Sequence, residues 1–351
     1  MRNQERPSPV DIVNSRREEV VRKIIRDMGE NGLQWSAPYL PTLSPRNPVS
    51  GTVYRGSNRL HLAFVGYMRG IEDNRWCTFN QIRDKGWHLK RGSKAAIIEK
   101  WKDLPLTGKN EDTGEDEVVG HYLRCVGYWN VFNAGDIDGI PPAPEGPQHQ
   151  SDYTAGIAEN LIRSSRCPVN ESSLYTGMAA YSPGKDCILI APRGTFRSDE
   201  SFTRTLLHEM THSTGHPSAL NQECSVRFGS PEYAEEELVA ELGSLFLSSD
   251  LGIQNAELEG DFYRNHVSYL QSWMKALEND PAYLFKAAGK ADKADTYIFT
   301  RYEEQLEKDR DSPAPEREEP GLSLKTESIA MLDASRGGHT AGGRERRVEA
   351  R

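Results

Sequence analysis

The sequence predicts an α+β protein of two domains followed by a disordered tail, and three observations carry that reading. The 351 residues exceed the roughly 150 that usually make one domain. Charge divides along the chain: residues 1–100 hold 18 Lys and Arg against 10 Asp and Glu, and the remainder 25 against 42. Helical periodicity mixes with β-rich runs before a proline-rich break, and helices dominate after it. A basic front and an acidic back suggest modules with different partners. With 36% hydrophobic residues a sizeable core is possible, yet a mean hydropathy of −0.68 leaves some segment outside it. No apolar run approaches a membrane span, and the opening MRNQERPSPVDIV lacks an apolar leader. Five cysteines, Cys77, Cys125, Cys167, Cys187 and Cys224, are odd in number and form no CxxC, so no disulfide framework or cysteine zinc site is indicated. The expectation is a reduced, cytoplasmic protein without membrane contact.

The elements follow in order. Val10, Val13, Val20, Val21, Ile24, Ile25 and Met28 recur at three- and four-residue spacings and predict a helix closed by Gly29 and Gly32. The aromatic stretch from Gln34 to Tyr39, with Pro38, Pro41, Pro45 and Pro48, is irregular. Residues 56–70 and 77–86 read as short helices. Residues 93–101 and 119–133 read as strands, with the acidic 108–117 turning between them. The first domain therefore spans 8–139. Four prolines within 140–152 mark a linker. The second domain, 153–301, opens with a helix over 153–166, continues with a turn and strand over 176–192, and ends in helices over 200–214, 232–250 and 259–279. Residues 302–351 are charged, glycine-bearing and almost free of aromatics, and read as a disordered tail.

The strongest chemical signal is His208-Glu209-Met210-Thr211-His212, an HExxH. Positions i and i+4 share one helix face, so two imidazoles can converge on one Zn²⁺ at about 2.0–2.1 Å. Glu209 is placed to act as general base on a water at that ion. Ser201 or Asp199 caps the helix, Gly215 and Pro217 end it, and Phe202, Leu206 and Met210 face a core. A catalytic zinc needs a third protein ligand. Ten positions after the first histidine stands Ser218, which excludes the metzincin pattern. The better donor is Glu237, with Glu241 one turn on to orient a ligating imidazole and Glu236 pointing away from both. Tyr181 to Ile190 would form either an edge strand that pairs with an extended peptide or a plain core strand. His266, Tyr269, Leu270 and Trp273 share a stripe that suits packing better than an oxyanion role.

In the front half, Arg55, Arg59, Arg75, Lys90, Arg91 and Lys94 are interleaved with aromatics such as Trp76. Cations track a phosphate backbone and aromatic faces stack bases, so the mix suits single-stranded nucleic acid; a solvated charged face over a core fits the same composition.

Read together, the halves resemble the ArdC-type antirestriction family. The resemblance rests on Trp35 and Pro38, on Pro48 to Asn58, on Arg75 to Phe79, on Gly86 to Lys94 and on Asn130 to Asn133. It continues with Tyr181-Ser182-Pro183, Asp186 to Pro192, His208 to His216 and Glu236 to Glu241. It spans roughly residues 10–300. That family joins an N-terminal single-stranded-DNA-binding domain, similar to one in plasmid TraC-type primases, to a C-terminal zincin-like metallopeptidase domain. The resemblance implies non-sequence-specific binding of single-stranded DNA and protection of incoming plasmid DNA from host restriction during conjugation. It also implies His208, His212 and Glu237 as ligands of Zn²⁺, or of Mn²⁺ or Co²⁺, with Glu209 catalytic on a peptide substrate. A DNA-binding shield with a structural metal and a replication accessory stay open as alternatives.

Overall fold

The computed structural model describes residues 7–31, 44–109, 114–143, 151–222, 231–253 and 271–311. Expectations that fall on Trp35, Pro38, Tyr39, His266, Tyr269, Leu270 and residues 312–351 lie outside the described residues. The architecture is α+β, as the sequence predicts. Helix α1 (Pro9–Asn31) starts where Ser8 and Asp11 cap each other. It runs through Gly29 rather than ending there, because Val13, Val20, Val21, Ile24 and Met28 form one buried stripe that continues to its last turn. Helix α2 (Gly56–Met68) follows.

Residues 77–86, read from sequence as one helix, divide into strand β1 (Trp76–Thr78) and helix α3 (Phe79–Asp84). Thr78 and Gln81 form a reciprocal capping box that starts the helix there, and β1 pairs with residues 131–133, the end of strand β4 (Asp116–Asn133). Strand β2 (His88–Leu89) pairs with β5 (Ile137–Asp138). Strands β3 (Ala96–Lys109) and β4 (Asp116–Asn133) make a long antiparallel hairpin. The turn expected over 108–117 is shorter, since Lys109 already pairs with Asp116.

Helix α4 (Ser151–Ser164) begins inside the expected linker. Strands β6 (Val169–Glu171), β7 (Ala179–Ser182) and β8 (Cys187–Ile190) form a sheet in the order β6-β8-β7, parallel across β6/β8 and antiparallel across β7/β8. Strand β7 therefore lies at an edge. Helices α5 (Asp199–Ser213) and α6 (Pro231–Asp250) follow, then α7, helical over 271–279, and α8 (Ala282–Asp311).

Helix α8 corrects the boundary of the tail. Residues 302–311 are helical, with Tyr302 buried beside Ile298 and Phe299. Arg301 donates to the Ser164 carbonyl at 3.0 Å and Arg163 pairs with Asp309. Composition made the segment look unfolded because the charges sit on the solvent side of a helix whose other side packs.

Two clusters organise the core. One draws on α1 and α2 from the front half and on α6, Trp273, Leu277 and α8 from the back. The other joins α4, β8, α5, the end of α6 and the end of α8. Helices α6 and α8 run through both, so apolar packing crosses the expected division at 140–152. A largely buried ionic group sits at the same crossing: Arg55, just before α2, and Arg59 of α2 meet Asp250 of α6 and Asp295 of α8.

Candidate metal centre

Helix α5 starts at Ser198, whose hydroxyl accepts from the Ser201 amide; the cap is Ser198 rather than Asp199 or Ser201. Phe202, Leu206, Leu207 and Met210 are buried in the back core, and that anchoring orients the histidine face toward α6. His208 and His212 place their Nε2 atoms 3.0 Å apart. Glu237 on α6 sets Oε2 3.5 Å from His208 Nε2 and Oε1 3.5 Å from His212 Nε2. Three donors each about 2.05 Å from a tetrahedral ion would stand about 3.3 Å from one another. The two imidazoles stand near that spacing, each Glu237 oxygen approaches one of them, and one donor atom from each residue lies within 4.8 Å of the others; His208 and Glu237 are almost fully buried. Among the described residues, His208, His212 and Glu237 form a donor group compact enough to share one ion. The donor chemistry, two imidazoles and one carboxylate, suits a divalent cation with an open position.

Close helix packing brings Glu237 there. A Cβ on Gly243 would lie 2.6 Å from Thr211 Cγ2 and 2.8 Å from Thr211 Oγ1, so only glycine lets α6 lie this near α5. Glu236 corrects an expectation. It does not point away: its Oε1 stands 3.5 Å from His212 Nδ1. Neighbouring residues 100° apart on α6 both reach α5 because the helices are so close. Glu241 receives Arg204 Nη2 at 2.7 Å, with both groups buried. That carboxylate ties α6 to α5 through an arginine that sequence reasoning missed. Gly243 and Arg204 were visible signals, a glycine within an apolar helix and a cation on a buried face.

Glu209 is buried, and Oε2 accepts the Tyr181 backbone amide of edge strand β7 at 2.7 Å. Burial pushes its carboxyl up to about 7; His212 opposes the shift, Glu237 adds to it and the Tyr181 amide opposes it. Burial disfavours the charged form of His212, yet Glu237, Glu236 and Glu209 together raise it to about 9. Arg166 braces the rim: it donates to the Ser213 carbonyl at 2.9 Å and to both Asp186 oxygens, and Tyr181 Oη donates to Asp186 at 2.8 Å. His216 lies with Ser218 and Asp186 at 2.8 and 3.9 Å. Trp273 donates Nε1 to the Ala234 carbonyl and is buried, in keeping with packing.

The front half requires several corrections. Arg59 is fully buried: Nη2 donates to the Phe246 carbonyl at 2.6 Å, the guanidinium pairs with Asp250, and it stacks on the Phe246 ring. Arg55 pairs with Asp295 at 2.8 Å and Asp250 at 3.2 Å. Arg75 is engaged by Asp73 and the Pro141 carbonyl. Trp76 is buried among Tyr54, Leu62, Ala96 and Val131. Arg59, Arg75 and Trp76 do not offer a DNA surface, because a guanidinium or indole inside the fold must satisfy its donors there; half-buried Arg55 is taken up by its two aspartates. Lys90, Arg91 and Lys94 remain exposed, and Lys90 Nζ touches the Gly135 carbonyl.

Comparison with known proteins places both halves. Residues 14–132 match the N-terminal domain of the anti-restriction factor ArdC, and residues 157–290 match the zincin-like metallopeptidase family. The chain is 31% identical over 305 residues to a protein named DNA primase TraC of Escherichia coli, a match covering 83% of this chain and 20% of that protein. It thus spans about a fifth of the length of that curated relative. Crystal structures of the antirestriction protein ArdC from plasmid R388 are similar at 28% identity, the metal-free form with TM-score 0.62 over 82% of this chain and 98% of that one. The Mn(II)-bound form gives 0.61, with 82% and 97% covered.

Proposed function

The chain has the two-domain architecture of the ArdC-type antirestriction family, and from that premise we propose that it is a cytoplasmic protein that binds single-stranded DNA and carries a zinc peptidase site. On this reading it protects incoming plasmid DNA from host restriction. The observation that carries the enzymatic part is the spacing of His208, His212 and Glu237, with Glu209 buried beside them. These three would hold the ion, and zinc is favoured by a two-histidine, one-carboxylate donor set. A bound divalent cation would supply Lewis-acid polarisation of a peptide carbonyl and an acidified water. Glu209, buried beside these ligands, is placed to take up and return a proton as a general base on such a water. Strand β7 has an edge along which an extended chain can lie. A peptide entering there competes for the Tyr181 amide that Glu209 now accepts.

The test is conjugal transfer of an unmodified plasmid into a restricting host, with zinc content measured on each purified variant. Glu209→Gln should retain the metal and lose protection. Full protection by a metal-loaded Glu209→Gln protein would reject the peptidase reading and leave a DNA shield with a structural metal.

A further inference from the structure

With Arg59, Arg75 and Trp76 buried and Arg55 held by Asp295 and Asp250, the place where DNA would lie is left open. The β3–β4 hairpin supplies an answer. At about 3.3 Å per residue, β3 alone runs for some 45 Å. Among the described residues, its first pairs are the ones rooted in an apolar cluster: Ala96 and Val131 are buried with Trp76 and Leu62, and Ile98 packs on them. Register assigns one face of the hairpin the pairs Ile98↔Trp129, Lys100↔Gly127, Lys102↔Arg124, Leu104↔Tyr122 and Leu106↔Gly120. A bulge between Lys100 and Trp101 keeps this alternation aligned with β4. The opposite face carries Trp101, Asp103, Leu123 and His121; at its root Trp101 lies under the Arg17 guanidinium of α1, and farther out Asp103 meets His121.

Beyond Ile98, which packs on the core, the first face is largely open to solvent. Trp129 is 45% exposed, Tyr122 46% and Leu106 52%, and Lys100, Lys102 and Arg124 are exposed as well. Trp129 lies across Gly127, which has no side chain to obstruct the ring. Two features point to a polyanion. Lys102 and Arg124 sit directly opposite each other, an arrangement that destabilises an isolated hairpin and that a phosphate between them would relieve. Aromatic rings flank those cations on the same face, and the pairs along it repeat at about 7 Å, a spacing suited to successive unstacked nucleotides.

We propose that single-stranded nucleic acid lies along this face, with bases on Trp129 and Tyr122 and phosphates on Lys100, Lys102 and Arg124. The proposal rests on the reading that the chain binds single-stranded DNA, and it assigns the binding surface.

Fluorescence anisotropy of labelled oligo(dT) with the full chain tests it. Trp129→Ala should weaken binding about tenfold, the loss of one stacked base. Lys102→Gln with Arg124→Gln should lower the slope of log affinity against log salt by about 0.7, the one phosphate they share. Leu123→Ser on the opposite face should leave both unchanged. Wild-type binding that all these variants retain would overturn the assignment and leave the DNA-binding reading standing. Equal loss in Leu123→Ser would overturn the choice of face. No binding by wild type would remove the DNA-binding reading and this surface with it. A wild-type dimer dissolved by Trp129→Ala, with oligonucleotide binding intact, would assign the face to a second copy of the chain.

Discussion

Gly243→Ala is the sharpest probe of how the metal centre is built. The added methyl would sit 2.6 Å from Thr211 Cγ2, 2.8 Å from Oγ1 and 3.2 Å from Cβ, whereas relaxed carbon contacts lie at about 3.5–4.0 Å. Helices α5 and α6 must separate by about 1 Å, or Thr211 must leave its hydrogen bond to the Leu207 carbonyl. Thr211 immediately precedes His212, and Glu237 lies on the helix being pushed. The donor spacings of 3.0 and 3.5 Å suit an ion whose bonds tolerate only about 0.2 Å. We expect overpacking to cost about 1–3 kcal/mol of stability and zinc affinity to fall at least about tenfold. Competition against a chelating indicator measures the affinity, and melting with and without zinc measures the stability. Combining Gly243→Ala with Thr211→Ala removes the two closest atoms and should restore most of both. A single Gly243→Ala protein that melts and binds zinc like wild type would refute the argument that helix proximity sets the site.

Further outcomes follow from the same geometry. Glu237→Ala should remove stoichiometric zinc, measured by elemental analysis after dialysis; full retention would mean another donor completes the site. Glu241→Gln should destabilise the fold by about 3–5 kcal/mol in urea denaturation, since it removes one charge of a buried ion pair with Arg204, and a shift under about 1 kcal/mol would show the pair is not isolated from water. Arg59→Met should be similarly costly while the folded fraction binds oligo(dT) as wild type does; a selective loss of binding would return Arg59 to the DNA surface. Asp295 gives a pH test. Burial, first, and Asp250 push its carboxyl from 3.8 up to about 7, against Arg59 and Arg55 and with Asp292 adding. The folded chain therefore keeps a proton that the unfolded chain releases, and this group's contribution to stability, complete at low pH, fades as pH rises through about 7. Urea midpoints between pH 5 and pH 8 should fall less for Asp295→Asn than for wild type, and parallel falls would reject the shift.

The sequence by itself determined what depends on local periodicity. His208 and His212 share a face because four residues make about one turn, and Phe202, Leu206 and Met210 mark the buried side of that same helix. The hairpin strands and helices α4, α5 and α6 were legible for the same reason, whereas α8 (Ala282–Asp311) was assigned no helix from its sequence. Tertiary structure alone decided how elements distant in sequence approach one another. Gly243 sets the distance between α5 and α6, which turns Glu236 toward His212 and gives Glu241 to Arg204. The return of α8 across both cores makes residues 302–311 a packed helix despite their charge. Helices α6 and α8 together bury Arg59 and engage Arg55 with aspartates nearly two hundred residues away or more. An arginine's composition is the same on a DNA-binding face and in a buried ion pair; only the carboxylates that packing brings beside it distinguish the two.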